Sequence, residues 1–160
     1  MSSTKSDQSA ESDKSAVHTL AYRVTDLRDL DAAFTVREIV FQQEQGVPAS
    51  KEHDEHDRRD ARHYLARTTG DTPAGAARWR ETEHGVKLER FAVLADFRNQ
   101  EIGAALLHAV LADVRTECPD APIYLNAQLR AVPFYERHGF QKEGEQFEEA
   151  NIQHYKMVLK

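Results

Sequence analysis

The chain has 160 residues, 40% of them hydrophobic and 30% charged, which suits one compact domain with a core of useful size. A formal net charge of -6 disfavours a general nucleic-acid surface, which relies on clustered Lys and Arg, and no apolar run approaches the roughly 20 residues that span a bilayer. The single cysteine, Cys118, excludes an internal disulfide framework and fits a reducing compartment, so a cytoplasmic protein without membrane or nucleic-acid partners is expected.

The first 16 residues are rich in Ser, Lys, Asp and Glu and lack an apolar stretch, so they read as a disordered tail ahead of a single domain over residues 17–160. HTLAYRV (18–24) reads as a first strand. A helix follows over residues 25–45, where Leu30, Phe34, Arg37 and Phe41 stack on one face. Arg37 interrupts that apolar face and, once buried, needs a partner; an acidic residue of the next loop is favoured over an anionic substrate. Gly46-Val47-Pro48 ends the helix, and SKEHDEHDRRDA (50–61) reads as an acidic, His-rich loop. RHYLARTT, TPAGAARWRET and GVKLERFAVL are three short β-like runs separated by turn residues, as in an antiparallel meander.

In the second half Ile102, Leu106, Ala109, Val110 and Asp113, with Leu107, Leu111 and Val114 beside them, give the wide stripe of a helix lying on a sheet. APIYLNAQ reads as a buried strand, RAVPFYERHGF as a short helix closed by Gly139, and HYKMVLK as the last strand. The expected order is β-α-β-β-β-α-β-α-β-β in one α/β unit.

Between the strand ending near Val93 and the helix starting near Gly103 stands the polar turn RNQE. A helix start leaves backbone N–H groups without intrahelical partners and carries about half a positive charge, so an anion is favoured there. Gly103 and Ala104 keep the approach open, and Arg98 offers a planar fork of donors. The same small residues also let a helix lie close on a sheet, and the turn alone does not separate the two readings.

LERFAVLADFRNQEIGAALL followed by LNAQLRAVPFYERHGF resembles the GCN5-related N-acetyltransferase (GNAT) superfamily. VREIVFQQEQGVP and QFEEANIQHYKM add a likeness to its ElaA/YjcF-type subgroup. The resemblance implies an α/β GNAT fold: a mixed, mostly antiparallel sheet of about six or seven strands flanked by helices. It also implies acetyl-CoA as co-substrate, a small-molecule or peptide amine as acceptor, a homodimer among the assemblies common to such relatives, and no metal.

The family's pyrophosphate turn maps onto Arg98, Asn99, Gln100, Glu101, Ile102, Gly103 and Ala104. Glu101 departs from it by standing where the family has its first glycine. The pantetheine arm is expected along Phe91, Ala92 and Val93, with Asn126 and Phe134 also at the co-substrate and Tyr135 as general acid at the sulfur. Glu89, Glu44 and His154 are candidates for the general base, each equally readable as a surface or structural polar residue. Two rivals remain: a non-catalytic acetyl-CoA sensor, and a metal-dependent hydrolase built on His53, Asp54, His56 and Asp57, residue types that bind divalent ions.

Overall fold

A computed structural model describes residues 18–160; the expected tail, residues 1–16, lies outside the described residues. Seven strands form one sheet: β1 (Thr19–Arg23), β2 (Arg62–Thr68), β3 (Thr72–Thr82), β4 (Gly85–Val93), β5 (Ile123–Gln128), β6 (Phe140–Glu149) and β7 (Ile152–Leu159), in the order β1-β2-β3-β4-β5-β7-β6. Every neighbouring pair is antiparallel except β4 and β5, which run parallel. This is the mixed α/β sheet expected from the family resemblance.

The helices cover both faces. Asp26 starts α1 (Leu27–Arg37) by accepting a hydrogen bond from the Asp29 amide at 2.8 Å, satisfying one of the free donors of the first turn. Ala33 and Val36, with Val40 beyond, pack on Leu65, Ala76 and Ala92 on one face of the sheet. On the other face α4 (Ile102–Glu117) buries Leu106, Leu107, Val110 and Val114 against Trp79, Leu88 and Leu125. Its approach to β3 is set by Gly75, where an added Cβ would lie 2.9 Å from both Ile102 Cγ2 and Leu106 Cδ1.

Two local expectations are corrected. The first long helix is not α-helical throughout: Glu38–Glu44 is a π-helical segment, a widened coil that turns side chains out of the α register. The acidic stretch expected as a solvated loop folds into two single-turn helices, α2 (Ala49–Glu52) and α3 (His56–Arg59), with Glu52 and Asp57 buried. The reason is charge pairing. Arg37 donates to Glu52 at 2.7 Å and to Asp57 at 2.7 and 3.0 Å, drawing the acidic segment onto the sheet. Arg37 therefore does find its partners in that segment.

The feature that positions the site is the parting of β4 and β5. They pair only at Val86–Leu88 with Ile123–Leu125, and beyond this the two strands diverge. A short helix, α5 (Val132–Arg137), follows β5 and packs near the opening.

Candidate active site

The opening leads into a cavity of about 1180 Å³. That is above the roughly 300–1,000 Å³ typical of pockets for drug-sized ligands, and leaves room for a long co-substrate together with an acceptor. Phe91, Ala92, Val93, Arg98, Asn99, Glu101, Ile102, Gly103, Ala104, Asn126, Phe134, Tyr135, Glu89 and His154 all line it. Glu44 and Gln100 do not: the Gln100 side-chain amide turns back to donate to the Asp96 carbonyl at 3.3 Å, and Glu44 reaches the cavity only through Arg98.

At the mouth, a short 3-10 turn (Ala95–Phe97) carries the chain from β4 towards α4. Asn99 and Glu101 then adopt left-handed conformations, φ 65° and 62°, and Glu101 is the N-cap residue of α4. A left-handed backbone explains the family preference for glycine at this position, since a side chain there costs about 1–2 kcal/mol. Glu101 adopts it with an exposed side chain, so its backbone follows the path a glycine would take. No side chain caps the helix start, and the first intrahelical bond runs from the Ala105 amide to the Glu101 carbonyl. The amides of Ile102, Gly103 and Ala104 therefore have no intrahelical acceptor. Gly103 sets the helix start beside the Phe134 ring, which an added Cβ would touch in ordinary contact at 3.4 Å. Free amides and Arg98 together fit a diphosphate.

Deeper in, β4 carries a bulge. Two residues of β4, Arg90 and Phe91, stand opposite Ala77 alone, with Arg90 at φ 59°. Past it the Leu94 amide donates to Ala74 on the β3 side, so by strand alternation the backbone groups of Val93, and of Phe91 two residues earlier, face the opening. Such an edge pairs with any extended chain carrying amides.

Tyr135 sits at the convergence of three aromatic rings, with centroids 5.0 Å to Phe134, 5.6 Å to Phe140 and 6.2 Å to Phe91. Burial pushes its hydroxyl pKa up, and neither a hydrogen bond nor a charge opposes that shift, so it stays protonated at neutral pH. His154, on β7, is buried and stacks against Phe147 with centroids 5.7 Å apart. Its Nδ1 lies 2.7 Å from the Ile152 carbonyl. A carbonyl only accepts, so Nδ1 carries the proton and Nε2 is left with a free lone pair.

The other two base candidates have partners. Burial alone would raise the Glu89 pKa, but Arg78, Lys87 and Arg80 outweigh it and hold the carboxyl at about 2. Arg78 lies at 3.0 Å, Arg80 at 2.7 Å and Lys87 at 3.2 Å. A carboxylate so strongly stabilised is a weak proton acceptor, which speaks against Glu89 as the base. Glu44 accepts from Arg98 Nη2 at 2.8 Å.

Glu89, which lines the cavity, belongs to a buried charge cluster. Arg78, fully buried, donates to Asp54, Asp57 and Glu89, while Arg90 reaches the Glu52 and Lys51 carbonyls and Asp54. The residues proposed as metal ligands point elsewhere than to a common centre: Asp54 and Asp57 face arginines, His53 lies 2.9 Å from Asp57, and His56 lies 2.8 Å from Asp60. No group of three or more His, Cys, Asp or Glu side chains arranged to hold a metal ion occurs among the described residues. Nor does any helix among them have the length and apolar character to cross a membrane.

Sequence reading missed Gln45, Lys51, Arg90 and Gln128, which also line the cavity. Gln128 Nε2 donates to Gln45 Oε1 at 2.8 Å, tying the end of β5 to the end of the π segment. Nothing local to either glutamine announces this, because the pair is 83 residues apart in sequence.

The acetyltransferase (GNAT) domain family model matches residues 31–160. The chain is 39% identical over 130 residues to the uncharacterized N-acetyltransferase YjcF of Bacillus subtilis strain 168, covering 81% of this chain and 91% of the relative. Its fold matches Escherichia coli ElaA with a TM-score of 0.77 at 26% identity, over 91% of this chain and all of that one. An acyl-CoA N-acyltransferase from Pseudomonas aeruginosa matches with the same TM-score, identity and coverage.

Proposed function

The chain belongs to the GNAT family of acetyltransferases, and from that premise we propose that it moves the acetyl group of acetyl-CoA directly to a primary amine of a small molecule or peptide. The observation that carries this reading is one cavity joining the uncapped start of α4, the unladdered edge of β4, the Tyr135 ring and His154. The naming of a structural neighbour as an acyl-CoA N-acyltransferase supports the choice of donor.

Acetyl-CoA supplies an activated acyl carbon and a diphosphate handle. Arg98 and the amides of residues 102–104 hold the diphosphate, and the backbone of Phe91 and Val93 aligns the pantetheine arm as an added strand. Asn126 and Phe134 bound this channel. An alkylammonium has a pKa of about 10, so the acceptor must lose a proton before its nitrogen can attack. His154 Nε2 takes that proton, while Ile152 holds the ring by its other nitrogen. As the C–N bond forms and the C–S bond breaks, the Tyr135 hydroxyl gives its proton to the departing sulfur. The N-protonated amide left by bond formation gives its second proton to the Tyr135 phenolate, and the His154 imidazolium releases the first to solvent, so one proton leaves per turnover and both residues end as they began.

The test is release of free thiol from acetyl-CoA in the presence of a panel of amines. Amine-dependent release is expected, with Tyr135→Phe lowering kcat about a hundredfold or more while coenzyme A binding stays within threefold, and His154→Gln lowering kcat by a similar factor. Binding of acetyl-CoA without release for any amine would turn the reading to the sensor. Unchanged kcat in Tyr135→Phe would remove Tyr135 from the chemistry.

A further inference from the structure

The two bonds made by Arg98 leave from one edge of its guanidinium. Nε donates to the Val93 carbonyl at 3.0 Å and Nη2 to Glu44 Oε2 at 2.8 Å. The guanidinium is planar with five fixed donors, so occupying the Nε–Nη2 edge leaves Nη1 and the outer Nη2 hydrogen aimed in another direction, along the end of the fork. That end is the part suited to two oxygens of one phosphate.

Glu44 is itself well placed to hold such a grip. It is the last residue of the π segment, and backbone bonds from Gly46 to Gln42 at 3.1 Å and from Val47 to Phe41 at 2.9 Å close the segment behind it. Its neighbour Gln45 is tied to Gln128 on β5. An ordinary α-helical continuation would carry residues 44 and 45 round at a different angle; from the wider coil Gln45 lines the cavity and Glu44 reaches Arg98.

We infer that Glu44 is a positioning residue for co-substrate binding: with the Val93 carbonyl it fixes the side edge of Arg98, so that the end of the guanidinium is presented to the diphosphate. This rests on the reading that coenzyme A binds at residues 98–104, and it gives Glu44 a task other than taking a proton. Arg98 and Glu44 are both about one-third exposed, at 37% and 32%, so the pair contributes little to folding and its loss is felt mainly in the order of a long side chain.

Calorimetry with coenzyme A on the full chain, together with steady-state kinetics, tests this. Glu44→Ala should weaken binding about threefold to tenfold and raise KM for acetyl-CoA while kcat and its pH profile hold, with Glu44→Gln showing a smaller shift. In an Arg98→Ala background the Glu44→Ala shift should vanish, because the effect passes through Arg98. Unchanged or tighter binding in Glu44→Ala overturns the inference, the tighter case meaning that the carboxylate repels the diphosphate. A shift of full size in the Arg98→Ala background, or a collapse of kcat with its acidic limb, overturns it as well. Absence of heat with the unaltered protein removes the binding reading and this inference with it; heat there, with no change in Glu44→Ala, removes the inference alone.

Discussion

Strand β4 has two unlike edges. Towards β3 it is laddered along nearly its whole length, with the side chains of Arg78, Arg80 and Glu89 closing into a charge network over it. Towards β5 it is paired for three residues and then open, with the Val93 carbonyl met by a side chain rather than a strand. The closed edge holds the strand in place without help from the other, so the open edge remains rigid while its backbone groups are available. Reactive space arises where pairing stops on a strand that pairing elsewhere has already fixed.

The sharpest way to break this contrast is to remove the hub of the closed edge. Arg78→Met would leave Asp54, Asp57 and Glu89 without a shared cation, and should destabilise the fold by about 3–5 kcal/mol, read by chemical unfolding. Asn126→Ala, on the open side, should change stability by less than about 1 kcal/mol. Equal losses would mean that the two edges do not differ as described.

Next in size is the response to acid. Glu89 has a folded pKa of about 2 against an ordinary value of 4.5, so its contribution is present above pH 4.5 and is lost as pH falls towards 2. That difference corresponds to about 3 kcal/mol, and the similarly lowered Asp54 adds to it in the same window. A midpoint of unfolding that stays flat between pH 5 and pH 3, measured by thermal melts in buffers of matched ionic strength, would show the closed edge to be less dependent on charge than its geometry implies.

The smallest effect belongs to the rim of the open edge. Glu101→Gly relieves a left-handed side-chain-bearing residue and should stabilise the protein by about 1 kcal/mol, raising Tm by about 2–4 °C. A fall in Tm would show that the Glu101 side chain contributes to the turn after all.

Much of this organisation was legible in the chain itself. The apolar stripe from Ile102 to Val114 is a short-range pattern, and it gave the helix and its buried face. The meander was readable because turn residues punctuate it, as at Gly70 and Gly85, both at positive φ. The resemblance of the stretch from Arg98 to Ala104, and of the Asn126 and Tyr135 motif, brought together residues that, Gln100 apart, line one cavity. What escaped was longer in range: the acidic segment reads as solvated because nothing near it says that Arg37, on another element, will be buried against it. Glu89 reads as a base for the same reason, since its three cations are identified only when β3 and β4 are laid side by side.

By itself the amino-acid sequence determined the order of the strands and of the three longer helical segments, the start of α4 and the family to which they belong, because periodicity and turn chemistry act over a few residues. Only the tertiary structure decided which charges meet, which carboxylates are held by arginine and which ring nitrogen of His154 keeps its lone pair. Those outcomes depend on burial and on distances between residues far apart in the chain, and the strength of a charge or hydrogen bond follows from the surroundings that folding creates.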